Sequence, residues 1–296
     1  MFNKKMKKII ILGCENSHAD IFLGFIKNDA AFSDVEVSGV YSDEKATAET
    51  LAEKYGVKVM SSYDEAVGKV DGVIVTARHG NNHYKYAAPY IKSGVPMFID
   101  KPITVNEDEA LKLARECKAA GVKLTGGSTC VHDERVQALK TEYDNNKDGK
   151  TLSGFIRCPI NLINDYGDFF FYSEHLVGIM STIFGYYPLS VKAYKNAEKI
   201  TVVFRYKEYD VTGLYVDKNN LYYAMRIAEN SVHGEELPIN ELNPCFKVEF
   251  NSFYGLLSGE QQRLSYEDFI APVFVLNAIQ RSLDSGNEEK VNKFEL

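Results

Sequence analysis

Ile99-Asp100-Lys101-Pro102 places a lysine at the carboxyl end of an apolar run, Val95 to Ile99, that reads as a buried strand. Open α/β sheets bind their ligands at that end of the strands. A lysine held there, partly out of water, can polarise an oxygen and handle a proton. A solvated loop lysine is the plain alternative. A second candidate stretch is the turn Gly13-Cys14-Glu15-Asn16-Ser17-His18, which follows the strand-like run Lys8–Leu12. A dinucleotide-binding turn there carries Gly-x-Gly-x-x-Gly. Only Gly13 is present. Glu15 stands where the backbone approaches a pyrophosphate, and His18 where a third glycine permits close helix–strand packing. Two like unit charges about 4 Å apart at an effective dielectric of about 20 cost about 4 kcal/mol, so a carboxylate facing a diphosphate is unfavourable. Three outcomes are open. Glu15 points away while the helix amides still offer themselves to phosphate, the cofactor sits in a shifted position, or no dinucleotide binds. The plain reading is that Ser17 caps the helix and Asp20 completes a capping box.

The second strand ends Val40-Tyr41-Ser42-Asp43-Glu44, with Ser42 and Asp43 where an acid meets the adenosine ribose. No arginine is there to take a 2′-phosphate, which favours NAD over NADP. Asp43 is equally readable as a helix cap. The third strand, Gly72–Val75, runs into Thr76-Ala77-Arg78-His79. Arg78 and His79 would face the same cleft, toward a cofactor phosphate or an acidic substrate. Their alternative is plain surface. His79 and His83 are four apart, a spacing that puts two metal ligands on one helix face. No carboxylate or cysteine stands at matching spacing and Gly80 interrupts the turn, so no metal site is expected.

These stretches need a parallel sheet to hold them. Strand-like runs at Lys8–Leu12, Val35–Tyr41, Val57–Met60, Gly72–Val75, Val95–Ile99 and Val122–Leu124 alternate with helical patterns. The helices are Ser17–Lys27, Glu44–Tyr55, a short Asp64–Val67, Asn82–Ile91 and Asn106–Ala120. Asn106 and Glu109 have the form of a capping box. This alternation predicts an α/β domain with right-handed crossovers over residues 1–126, of Rossmann type. After about Gly127 the pattern changes. A helix at Glu134–Tyr143 is followed by runs that read as strands at Leu152–Ile160, Ser190–Lys195, Lys199–Tyr206, Tyr209–Tyr215, Leu221–Ile227 and Phe246–Phe250. Helices are expected at Ser173–Phe184 and Tyr266–Asp284. Residues 127–296 therefore read as an α+β domain with a mixed or antiparallel sheet.

The chain of 296 residues carries a net charge of −7, against a nucleic-acid or anionic-membrane surface. The lysine-rich start, Lys4 to Lys8, leads into an apolar run too short for a signal peptide, and no stretch is long enough to span a bilayer. Five scattered cysteines without Cys-x-x-Cys argue against a disulfide framework or a zinc knuckle. A reducing, cytoplasmic setting is expected.

The segment Val70–Thr104, VDGVIVTARHGNNHYKYAAPYIKSGVPMFIDKPIT, resembles the glucose–fructose oxidoreductase / inositol dehydrogenase / MocA family. Thr76, His83, Gly94 and Lys101-Pro102 match the family pattern. Ala77 stands for its usual proline and Asp100 for its usual glutamate. The resemblance covers the first domain well and the second loosely. It implies NAD(P)-linked hydride transfer to or from a sugar, polyol or related hydroxyl compound, with Lys101 at the reacting oxygen. It also implies that residues 127–296 bind the substrate and pair, through the open face of the second sheet, into a homo-oligomer. The family's Asp-x-x-x-His pair falls on Phe171 and His175, so the histidine is kept and the aspartate is lost. Tyr172 and Glu174 are the neighbours available to replace it. His175 suits the proton-accepting role; a helix histidine bonded to a carbonyl is its plain alternative. The resemblance makes Lys101 and His175 the catalytic candidates. The cofactor candidates are Gly13, Glu15, Asn16, Ser17, His18, Ser42, Asp43, Thr76, Ala77, Arg78, His83, Asp100 and Lys101. The competing reading is a catalytically altered relative, a ligand-binding or regulatory module with weak or no dinucleotide binding, favoured by Glu15, His18 and Phe171.

Overall fold

The computed structural model describes residues 5–238 and 243–296; Lys4, at the head of the lysine-rich start, lies outside them. Five parallel strands form the first sheet: β1 (Lys7–Leu12), β2 (Val35–Tyr41), β3 (Gly72–Val75), β4 (Met97–Asp100) and β5 (Leu124–Gly127). Their order is β2-β1-β3-β4-β5. Ile9, Ile10, Val73, Ile74, Phe98 and Ile99 are fully buried, as continuous apolar strands covered on both faces must be. The helices between them are α1 (Ser17–Asn28), α2 (Lys45–Tyr55), α3 (Asn81–Ile91) and α4 (Glu107–Ala120). Asn106 caps α4 by accepting the Glu109 amide at 2.8 Å. The strand order, not the chain direction, reverses between β1 and β3, and the crevice outside their carboxyl ends is where such sheets take ligands.

The second sheet has seven strands: β6 (Thr151–Ile160), β7 (Ser190–Asn196), β8 (Lys199–Arg205), β9 (Asp210–Asp217), β10 (Tyr222–Ala228), β11 (Val232–Leu237) and β12 (Glu289–Lys290). The order is β11-β10-β6-β9-β8-β7-β12. It is mixed, because β6 and β9 run parallel while the other pairs are antiparallel. One face packs on α6 (Phe169–Phe184); α5 (Glu134–Asp144) lies beside it. Val203, Leu214, Val216, Tyr223 and Met225 alternate to the other face and stay partly exposed.

Several local expectations need correction. Phe246–Phe250 is not a strand but part of helix α7 (Asn243–Leu257). Phe250 and Phe253 of α7 are fully buried against Ile9, Ile11 and Phe98, each contributing roughly 1.5–3 kcal/mol by removal from water. Helix α8 (Tyr266–Ser285) covers the first sheet's other side through Phe269, Ile270, Val273 and Phe274. The strands thus divide near residue 127, but the helical cover of the first sheet comes partly from the last third of the chain. Val57–Met60 makes one isolated bridge, Val40 to Val59, and Asp64–Val67 lies in consecutive turns. Asn16, not Ser17, caps α1: its side chain accepts the His18 amide. Strands β11 and β12 were not expected. Among the described residues no helix is long and apolar enough to cross a membrane.

Candidate active site

Register aligns Leu12 of β1 with Val75 of β3, so the turns that follow lie side by side. Thr76 donates its hydroxyl to the Gly13 carbonyl at 3.0 Å and its amide to Leu12 at 2.8 Å. Gly13 has φ +76°, and a Cβ there would sit 2.3 Å from the Ala77 nitrogen. Glycine is therefore required by both backbone shape and space. His83 is fully buried and bonds the Ala77 carbonyl at 2.7 Å, so it braces this turn from inside and does not face the crevice. Burial pushes its imidazole below the usual range, keeping it neutral.

Asp100, at the end of β4, is the hub of the neighbouring turn. One carboxylate oxygen accepts the Lys101 amide at 2.7 Å. The other accepts the Asn16 side-chain amide at 2.9 Å and lies 3.2 Å from His18 Nδ1. His18 Nε2 is 2.9 Å from the Thr129 hydroxyl, which donates to Glu249 of α7 at 2.9 Å. Burial lowers the His18 pKa, with Asp100 pulling the other way, and burial raises that of Glu249. A protonated Glu249 beside a neutral His18 avoids two buried carboxylates facing one another across that ring. His18 thus fills the space a third glycine would leave empty.

Lys101 is nearly buried; its ammonium lies 4.6 Å from the Phe171 ring centre and 3.4 Å from the Phe171 carbonyl. The peptide bond between Lys101 and Pro102 is cis. His175, one turn along α6 from Phe171, bonds the Ser128 hydroxyl through Nδ1 at 2.8 Å. Its Nε2 has no hydrogen-bond partner among the described residues. Burial, then the nearby Lys101 charge, hold its pKa well below the usual histidine range. Of the two neighbours considered as replacements for the lost aspartate, Tyr172 lines the cavity. Glu174 instead accepts the Ile103 amide at 3.1 Å, and burial raises its pKa to about 8.

These groups share one cavity of about 420 Å³, lined by Asn16, Ser17, His18, Arg78, Lys101, Thr129, Cys130, Tyr166, Phe171, Tyr172, His175, Tyr222 and Phe246. A larger one of about 710 Å³ lies between α4, α8 and the C-terminal tail, walled largely by apolar residues. The smaller cavity is the one that holds Lys101, from the carboxyl end of β4, and His175 together, where sheets of this kind take ligands. Thr129 and Phe246 escaped the sequence reading. They reach the site from elements far apart in the chain, and no local pattern marks them. His79 packs against Gly167. No group of metal-binding side chains occurs among the described residues.

The crevice end of the site is more constrained. Glu15 accepts the Ser42 hydroxyl at 2.7 Å and the Arg78 amide at 2.9 Å. Ser42 in turn accepts the Glu44 amide, so its hydroxyl is engaged on both sides. Asp43 accepts Tyr41 at 2.6 Å, which holds its pKa low, with Tyr86 and Lys85 contributing. The amides of Glu15, Asn16 and Ser17 have no partner among the described residues. Three free amides at a helix start, beside a glycine-required turn, fit the phosphates of a nicotinamide dinucleotide. The Glu15 carboxylate is the exception in that donor set.

Residues 7–128 match the model of an oxidoreductase family with an NAD-binding Rossmann fold. An uncharacterised oxidoreductase of Streptococcus pneumoniae serotype 4 is 32% identical over 124 residues, 41% of this chain and 32% of that protein. The chain thus matches about a third of that relative's length. Two solved structures share the whole fold. GenD2 from gentamicin A biosynthesis, in complex with NAD, has a TM-score of 0.85 at 15% identity over 98% of this chain and 97% of that one. Scyllo-inositol dehydrogenase of Lactobacillus casei, with bound NAD(H) and scyllo-inositol, has a TM-score of 0.83 at 15% identity over 97% and 99%. Over residues 7–128, its first domain, this chain is similar to the Gfo/Idh/MocA family of oxidoreductases.

Proposed function

We propose that the protein is a nicotinamide-dependent oxidoreductase acting on a hydroxyl carbon of a sugar, polyol or related small molecule. One observation carries this reading: Lys101 from the first sheet and His175 from α6 line the same cavity, beside the free amides that open α1. Gly13, Asn16 and Ser17 would hold the dinucleotide, with Thr76 and Ala77 shaping the turn beside them. When bound, it supplies or accepts the hydride. Lys101 donates a hydrogen bond to the reacting oxygen and stabilises negative charge as it develops. Neutral His175, with Nε2 free, takes the hydroxyl proton in oxidation and returns it in reduction. Ser128 orients that ring in place of a carboxylate. Asp43 near the end of β2, with no arginine in Ser42–Glu44, supports NAD over NADP. The partly exposed apolar face of the second sheet supports pairing with a second copy.

The test is binding of NADH and NADPH followed by nicotinamide fluorescence, which the absence of tryptophan leaves undisturbed. Micromolar binding with oxidation of a hydroxyl compound is expected. No binding of either form in folded protein overturns the reading. Glu15 favours a second one, a cofactor-free ligand-binding relative, because its carboxylate ties Ser42 to the Arg78 amide at the crevice.

A further inference from the structure

The cavity wall carries two cations and no acid. Arg78 and Lys101 both line it, and neither forms an ion pair among the described residues. Arg78 donates to the Tyr166 hydroxyl at 2.9 Å and lies 5.2 Å from that ring's centre. The Tyr166 and Phe171 rings are 5.2 Å apart, and Lys101 sits over Phe171. The wall therefore runs from cation to ring to ring to cation. Each nearby carboxyl is committed elsewhere. Asp100 serves the Lys101 amide, Asn16 and His18; Glu15 serves Ser42 and the Arg78 amide. Glu249 serves Thr129, and Glu174 the Ile103 amide. Burial favours the neutral form of the last two.

Cations that line an aromatic-walled cavity and form no ion pair favour an anion that enters and supplies one. We propose that the substrate is itself an acid: a hydroxy compound whose carboxylate is held by Arg78 while its reacting hydroxyl meets Lys101. Guanidinium has the planar fork that a carboxylate matches with two parallel bonds, which an ammonium lacks. The cavity, at about 420 Å³, is near the small end of ligand sites, a fit for a sugar-sized acid. Phe171 is part of the same logic, since an aspartate there would pair with Lys101 and cancel the charge. The inference rests on the oxidoreductase reading for the reaction, but not for the binding.

Calorimetry on the full chain with saturating NADH separates the possibilities, using D-gluconate and D-galacturonate against D-glucose and myo-inositol. The acids are expected to bind at least tenfold more tightly. Arg78→Gln should erase that gap while leaving NADH affinity within threefold, and Arg78→Lys should restore part of it. Equal or tighter binding of the neutral compounds, no binding of either acid, or a gap that survives Arg78→Gln overturns the proposal. So does a tenfold loss of NADH affinity in Arg78→Gln, which would assign the arginine to the cofactor. Tighter binding of D-glucose 6-phosphate than of either acid overturns the carboxylate assignment. If NADH does not bind, the same titrations without it decide: a retained acid preference upholds this inference as the oxidoreductase reading falls, and its absence ends both.

Discussion

Asp100 Oδ2 lies 3.2 Å from His18 Nδ1, joining the turn after β4 to the first turn of α1 across the switch point of the sheet. The same carboxylate fixes the Lys101 amide. One buried acid thus sets both the helix whose amides face the crevice and the lysine that faces the cavity. Removing Asp100 leaves the Lys101 amide and the Asn16 side-chain amide buried without an acceptor, at about 1–3 kcal/mol each. Asp100→Ala is expected to lose stability of that order in urea denaturation. Asp100→Asn, which keeps the shape, should lose less. A loss below about 1 kcal/mol for Asp100→Ala would show that the two turns hold their places without it.

Glu15 is the test of how the crevice treats a diphosphate. Its two donors, Ser42 and the Arg78 amide, belong to the ends of β2 and β3. Like charges about 4 Å apart cost about 4 kcal/mol at an effective dielectric of about 20, an upper bound for a group that can move. Glu15→Gln is expected to tighten NADH binding about tenfold or more, read by nicotinamide fluorescence. Unchanged affinity would mean that the carboxylate stands clear of the phosphates.

Lys101 and His175 carry the proposed chemistry, and neither bonds the amides at the start of α1 that would take the phosphates. Lys101→Ala and His175→Ala are each expected to cut kcat by about 10²–10⁴-fold, the usual worth of a positioned acid–base group. NADH affinity should stay within a few fold. Turnover unchanged in Lys101→Ala would remove the lysine from the reacting centre.

The first sheet was legible because its strands are unbroken apolar runs, and Lys101 because it ends one of them. Helix α7 was not. Phe246, Val248 and Phe250 alternate like a strand over five residues, but Phe246, Phe250, Phe253 and Leu257 follow the helical repeat over twelve. A window too short to hold three turns picks the wrong period. Glu249 was lost with the helix, and its meaning depends on Thr129, 120 residues away. Asn16 and Ser17 both have capping chemistry, and contact with Asp100 decides between them. His83 belonged to the recognisable pattern, yet its role is to brace the Ala77 carbonyl from the core.

Buried titratable groups around the cavity give the fold a pH signature. Burial raises Glu174 to about 8 and Glu249 well above its usual range, so each stays protonated when folded and ionises on unfolding above about pH 4.5. The folded state then holds more protons, and stability falls as pH rises, by about 1.4 kcal/mol per pH unit for each group. For Glu174 the fall ends near pH 8. His18, His83 and His175 are pushed the other way by burial and stay neutral when folded. Below about pH 6.5 they gain protons on unfolding, so stability falls as pH drops. Three histidines outweigh two carboxyls in the acid window, and the carboxyls act alone above it. Tm measured from pH 5 to 9 should therefore peak near pH 6.5. Glu174→Gln cannot ionise, so it should gain on the wild type as pH rises from 6 to 8 and flatten that limb. A wild-type Tm still rising between pH 7 and 9 would show that these carboxyls ionise within the fold.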